Sequence, residues 1–271
     1  KADLATRWGM GERPIFAGSA GDNAAGAVGL GATKPGDAFV SLGTSGVVWM
    51  TTDSFHPGGK FAIHSFCHAI PATWHQMGVT LSAAASLAWW SRVSGLSERE
   101  LLAELPEVPV APSPVLFAPY LSGERTPYND GVVRGAFIGL SQDTTRRQMT
   151  QAVLEGVAFS FRDALDGLAA SGSLFHEADV IGGGSQSPLW TAIIASVMDV
   201  TLHRLAHGEQ GGAFGAARLA RIAVTGEAVE DVCTAPERIG SVAPDPQLRG
   251  AYRNAHARYK EMYPALKAIH N

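Results

Sequence analysis

Three times in 271 residues a short apolar run breaks into a cluster of glycine and small residues, and these loops constrain the fold most. The runs are Pro14 to Ala17, Ala38 to Leu42 and Ala178 to Ile181, each read as a short buried strand. They lead into Gly18-Ser19-Ala20-Gly21, Gly43-Thr44-Ser45-Gly46 and Gly182-Gly183-Gly184-Ser185. Glycine at a strand end permits a sharp turn and lets a ligand lie against the main chain. A chain with three such ends is expected to gather them on one side of a sheet.

The segments between the loops complete an α/β pattern. Val47 to Met50 follows the second loop closely enough to make a hairpin, and Phe61 to Phe66 and Thr73 to Met77 read as further strands. Val79 to Ser91 is apolar on nearly every face and reads as a buried helix. Ser97 with Glu100, and Thr145 with Gln148, are capping boxes that open helices. The second helix carries the stripe Met149, Val153, Val157, Phe161, Leu165 and Leu168. Ser187 and Pro188 open another helix, and one more begins near Gly212, where Gly215, Ala216 and Ala217 allow close backbone approach. The proline-rich stretch 106–114 reads as a surface loop and no domain boundary. The expectation is one α/β domain, a mixed sheet flanked by helices, over residues 1–271.

Each glycine loop has a chemical reading beside a plainer one. Asp22 follows a flexible turn, so its carboxylate can face a cleft, or it can simply cap the helix that starts there. Successive amides and two hydroxyls at Gly43, Thr44 and Ser45 suit an anion, and the same residues suit an ordinary hairpin. Gly183, Gly184 and Ser185 precede a helix whose positive end favours phosphate, or they merely make a tight strand-to-helix turn. Neither GxxxxGK[ST] nor a full GxGxxG occurs. Ala17 to Gly21 lies one glycine short of a GxSxG elbow, so a serine hydrolase using Ser19 is the alternative of another class. His64, His68 and His75 hint at a metal, but nothing nearby completes a ligand set, so they read as structural. Trp89 and Trp90 read as core.

Composition narrows the partners. A net charge of -4 with no basic run gives nucleic acid or an acidic membrane little to bind. Two cysteines are too few for a disulfide scaffold, so a reducing cytoplasm is expected. No apolar run approaches the roughly 20 residues that span a bilayer. The chain begins at Lys1-Ala2-Asp3-Leu4 without an initiator Met, which reads like the inside of a helix in a longer protein.

Taken together and in this order, the three loops resemble the C-terminal half of the FGGY carbohydrate kinases. Gly135 to Leu140 through Gln151 to Gly156 is similar to that family's second signature. Gly21-Asp22-Asn23-Ala24-Ala25-Gly26, His64-Ser65-Phe66-Cys67-His68-Ala69 and Pro119 to Pro127 resemble its xylulose-phosphorylating members. The resemblance implies an actin-like, ribonuclease-H-like lobe and ATP-dependent phosphorylation of a ketopentose. D-xylulose comes first, with D-ribulose, gluconate and glycerol as alternatives. It implies that Asp22 is the general base, that Asn23 lies by the sugar, and that Gly43, Thr44 and Ser45 form a phosphate loop. Gly183, Gly184 and Ser185 would then hold the nucleotide, and Mg²⁺ would accompany ATP through ligands the sequence does not identify. A partner N-terminal lobe is expected, without which the chain should be inactive, its exposed face inviting self-association, for instance as a homodimer.

Overall fold

The structure is a computed structural model that describes residues 2–10, 15–206, 208 and 211–270. Its elements begin with α1 (Ala2–Arg7), α2 (Asp22–Leu30), β1 (Ala38–Leu42), β2 (Gly46–Thr52), β3 (His64–Cys67) and β4 (Trp74–Thr80). Next come α3 (Ala84–Ser94), α4 (Glu98–Ala103), β5 (Leu116–Ala118), β6 (Ala136–Ile138) and α5 (Arg146–Ala170). The chain closes with β7 (Glu177–Ile181), α6 (Pro188–Met198), β8 (Thr201–Leu205) and α7 (Gly212–Thr225). After these lie α8 (Val229–Val232), β9 (Arg238–Val242), α9 (Arg249–Lys260) and α10 (Met262–His270).

Among the described residues, seven strands form one sheet in the order β3-β4-β2-β1-β7-β8-β9. The pairs β1–β7 and β7–β8 are parallel, and the rest are antiparallel. Side-chain alternation along β1 decides the layers. Ala38, Val40 and Leu42 point into the main core with α3, α4, α5 and α6, while Phe39 points to the other face. There Phe39, Val47, Trp49 and Met77 pack against Ala24, Ala27 and Leu30 of α2. A mixed sheet with helices on both faces is the layout expected of an actin-like lobe. Both capping boxes form as read, and Val153, Val157, Phe161, Leu165 and Leu168 are buried along α5.

Three expectations need correction. Pro14 lies outside the described residues, and residues 15–17 are not a strand: Ile15 and Phe16 are 64% and 83% exposed. Both edges of β1 are already taken, by β2 and β7, and no described strand pairs with residues 15–17. The expected strand from Phe61 begins only at His64, after a 3₁₀ turn at Gly59–Phe61. The expected helix from Val79 starts at Ala84, because Val79 and Thr80 finish β4 opposite Val47 and Gly46. A continuous apolar run does not by itself distinguish a buried strand from a buried helix.

The orientation of α2 follows from its ends. At its C-terminus, Thr51 Oγ1 donates to the Ala32 carbonyl at 3.0 Å, and Thr51 lies beside the start of β1. The N-terminus of α2, carrying Asp22, therefore lies at the opposite edge, where β1 ends. Helix α7 runs parallel to α2 at very close range. A Cβ on Gly212 would sit 3.2 Å from the Asp22 carbonyl oxygen, and one on Gly215 would overlap the Ala25 carbonyl and sit 2.9 Å from the Gly29 nitrogen. Arg218 Nη1 donates to the Val28 and Gly29 carbonyls at 3.0 Å each.

Gly215→Ala should accordingly destabilise the fold by about 3 kcal/mol, because the clash is with backbone and the helices must part. Urea unfolding of the variant beside the parent checks this.

Candidate functional site

Two of the glycine loops meet because β1 and β7 run side by side in parallel, with Phe39 opposite Asp179 and Ser41 opposite Ile181. Their carboxyl ends therefore coincide, the edge at which open α/β sheets leave a crevice. Gly182 adopts φ +89°, and a Cβ there would lie 2.7 Å from the Leu42 carbonyl carbon and 2.9 Å from the Gly43 nitrogen. Both the turn and the close approach require glycine. Gly46, at the far side of the hairpin, leaves room for the Phe161 ring, whose Cζ would be 2.7 Å from an added Cβ.

The hairpin is fixed by its carbonyls. Ala84 donates to the Gly43 carbonyl at 2.8 Å, and Ala83 and Ala85 donate to that of Thr44 at 3.0 and 3.2 Å. These bonds satisfy amides at the start of α3 that a helix cannot satisfy itself. With the carbonyls so engaged, the amides of Gly43, Thr44 and Ser45 find no acceptor among the described residues, and neither hydroxyl finds a partner. The loop therefore presents unused donors to solvent. The amides of Gly183 and Gly184 are likewise without a backbone acceptor.

A cleft of about 1700 Å³ opens beside these loops on the α3–α6 face. Gly43 and Thr44 close one end, Gly183, Gly184 and the start of α6 form a wall, and Ala84, Leu87, Leu102 and Leu105 give an apolar side. Ser45 and Ser185 do not line it. Ser185 turns inward, its hydroxyl donating to the Gly182 carbonyl at 2.7 Å, so it braces the turn.

Asp22 and Asn23 are also outside this cleft. They lie at the same edge of the sheet on the α2 face, so the two glycine loops and Asp22 share an edge while the cleft and Asp22 lie on opposite faces. The cap of α2 is Gly21, with no side-chain bond, and Asp22 is the first helical residue. The plainer reading of Asp22 as the cap is thus corrected. Among the described residues its exposed carboxylate accepts only from Asn23, from the main-chain N at 2.9 Å and from Nδ2 at 3.4 Å.

The remaining expectations sort clearly. Ser19 is exposed and hydrogen-bonds to nothing among the described residues, with no strand before it to make an elbow. His75 stacks on Trp49 at 3.8 Å, and burial first, then the charges of His68 and His64, pull its pKa down to about 4. Neutral and packed, it is structural, as read. Among the described residues the one group spaced for a metal is Asp163, Asp166 and His256, where Arg162 already pairs with Asp166 and Asp163 with His256. Sequence reasoning missed two buried carboxylates outside the cleft lining. Glu155 accepts from Ser113 N at 3.0 Å and anchors the 106–114 loop, while Glu124 accepts from Thr80, Leu81 and Arg125. Burial pushes each up to about 7.

Comparison with known proteins agrees with this fold. Residues 38–224 match the family model for the FGGY family of carbohydrate kinases, C-terminal domain. The xylulose kinase of Escherichia coli (strain K12) is 40% identical over 267 residues, which is 97% of this chain and 55% of that protein. Among solved structures, a xyloylose kinase from Brucella ovis aligns with a TM-score of 0.92 and 48% identity, covering 99% of this chain and 56% of that one. A xylulose kinase from Rhodospirillum rubrum aligns with a TM-score of 0.83 and 26% identity, over 99% and 55% respectively. The chain spans about half the length of the curated relatives it matches.

Because the Gly43, Thr44 and Ser45 amides have no acceptor, their hydrogen exchange in the free chain should run at nearly open-chain rates. Mass-spectrometric or NMR exchange beside the protected amides of β1 and β2 checks this.

Proposed function

Because the chain belongs to the FGGY family of carbohydrate kinases, we propose that it supplies the C-terminal half of an enzyme that phosphorylates a sugar with ATP. D-xylulose is the leading acceptor, supported by the names of the relatives. D-ribulose, gluconate and glycerol would use the same parts. The observation that carries the reading is the meeting of Gly43–Gly46 and Gly182–Gly184 beside the cleft, with Asp22 at the same edge.

In this reading the nucleotide base and ribose lie along the apolar side of the cleft, against Gly183 and Gly184. The phosphates reach the hairpin, where the free amides of Gly43, Thr44 and Ser45 and two hydroxyls can follow charge as it moves. Asp22 and Asn23 lie on the acceptor side. The sugar hydroxyl oxygen bonds to the γ-phosphorus, the bond to the bridging oxygen breaks, and ADP leaves with that electron pair. The hydroxyl proton passes to the Asp22 carboxylate. A carboxylate is a weak base at neutral pH, but the hydroxyl becomes acidic only as its bond to phosphorus forms, so positioning matters most. Mg²⁺ would ride on the ATP phosphates and neutralise their charge. The exposed Asp22 carboxylate and the unpartnered Thr44 and Ser45 hydroxyls are hard oxygen donors that suit it. Further contacts to the sugar and phosphates would come from the half that the longer relatives carry.

In the complete enzyme, Asp22→Asn should leave the fold and nucleotide affinity intact and cut turnover roughly 10²-fold or more. A coupled assay with Mg-ATP and D-xylulose reads this, and near-parental turnover would remove Asp22 from the role. The 271-residue chain alone should give no sugar-dependent ADP release, since lobe closure is what aligns donor and acceptor. Robust release by it would mean that the whole active site lies within these residues.

A further inference from the structure

The conspicuous motif from Pro119 to Pro127 touches no part of the site described above, yet it contains a carboxylate that is only 2% exposed. Glu124 Oε1 accepts from Leu81 N at 3.0 Å and from Arg125 N at 2.8 Å, and Oε2 accepts from Thr80 Oγ1 at 2.7 Å. Thr126 continues the attachment: its amide donates to the Val79 carbonyl, and its hydroxyl accepts from Val79 N, each at 2.9 Å. β3 pairs with β4 only as far as Met77, so residues 124–126 take over the vacant edge beyond it.

The segment that starts at these residues meets the hairpin loop at both of its ends. Thr80 pairs with Gly46, the last residue of the loop. Three residues further on, the amides of Ala83, Ala84 and Ala85 hold the Gly43 and Thr44 carbonyls. The turn from β4 into α3 is therefore pinned at Leu81 by Glu124 and presents its amides to the loop at 83–85.

We propose that Glu124 is a positioning residue: through residues 80–85 it sets the placement of the Gly43–Gly46 loop, and hence the alignment of the transferring phosphate. The second half of that statement rests on the reading of this loop given under Proposed function. The bonding pattern also tolerates a neutral side chain. A glutamine oxygen can still accept from the two amides, while its NH₂ donates to Thr80 Oγ1, whose hydroxyl reverses its role. Alanine leaves three donors without that acceptor, of which the Thr80 hydroxyl is buried and the Leu81 and Arg125 amides are partly so.

The test compares Glu124→Ala, Glu124→Gln and Thr80→Val by two readouts in the complete enzyme. The first is hydrogen exchange of the Ala83, Ala84 and Ala85 amides, which Glu124 does not touch. Exchange should accelerate at least about tenfold in Glu124→Ala and stay near parental in Glu124→Gln. The second is steady-state kinetics, where Glu124→Ala should lower kcat by about 10²-fold with little change in sugar KM, the cost of a misplacement near 1 Å. Thr80→Val keeps the strand and removes only the bond to Oε2. It should move both readouts in the same direction by less, and it carries the comparison if the alanine variant does not fold. Unchanged exchange at 83–85 in the alanine and valine variants would overturn the proposal, as would a glutamine variant as impaired as alanine. An exchange response in a protein with no sugar kinase activity would overturn the reading of the loop while upholding the positioning by Glu124.

Discussion

The parallel pairing of β1 with β7 is the constraint on which the rest of the molecule turns. It brings Gly43 and Gly182 to one edge, and it works only because Gly182 has φ +89° and no side chain to strike Leu42. The hairpin beyond β1 then has a fixed wall on one side and the start of α3 on the other. Its carbonyls are committed to Ala83, Ala84 and Ala85, which leaves its amides as the uncommitted half of the loop. A site with idle donors is thus a consequence of satisfying a helix terminus, with no special strain required.

Much of this was legible in residue order, because turn and cap chemistry is local. The Gly43–Gly46 hairpin, both capping boxes and the Ser187-Pro188 helix start each follow from neighbouring residues alone. Long-range pairing was less legible. Whether Pro14 to Ala17 joins a sheet depends on whether an edge is free for it, and the edges of β1 are both occupied. Asp22 looked like a cap because Asp often is one, but the helix begins one residue earlier than that reading assumed. Glu124 was hidden by its setting, since Ser-Gly-Glu-Arg-Thr-Pro reads as an exposed turn. Glu155 left a clue: it is the one polar residue between Ala152 and Phe159 of α5, an apolar stretch in which an acid must be buried and bonded.

Those buried groups also set how proton concentration acts on the fold. Glu124 and Glu155 are raised to about 7 by burial, so their contribution to stability is complete at low pH and is lost as pH rises through about 7. His75 is depressed to about 4, so its contribution is present above 6.5 and is lost as pH falls towards 4. The two kinds of group oppose one another, which leaves a middle range in which both penalties are partial.

The sheet separates the cleft on the α3–α6 face from Asp22 on the α2 face, and the hairpin is the element that borders both regions. Side chains that shape one region do not pack against the other. Sequence drift on α3, α4 or α6 can therefore reshape one compartment while leaving the α2–α7 pair untouched, and the reverse holds equally. A lineage built on this lobe can diversify the two compartments independently, provided that the few residues of the shared boundary stay as they are.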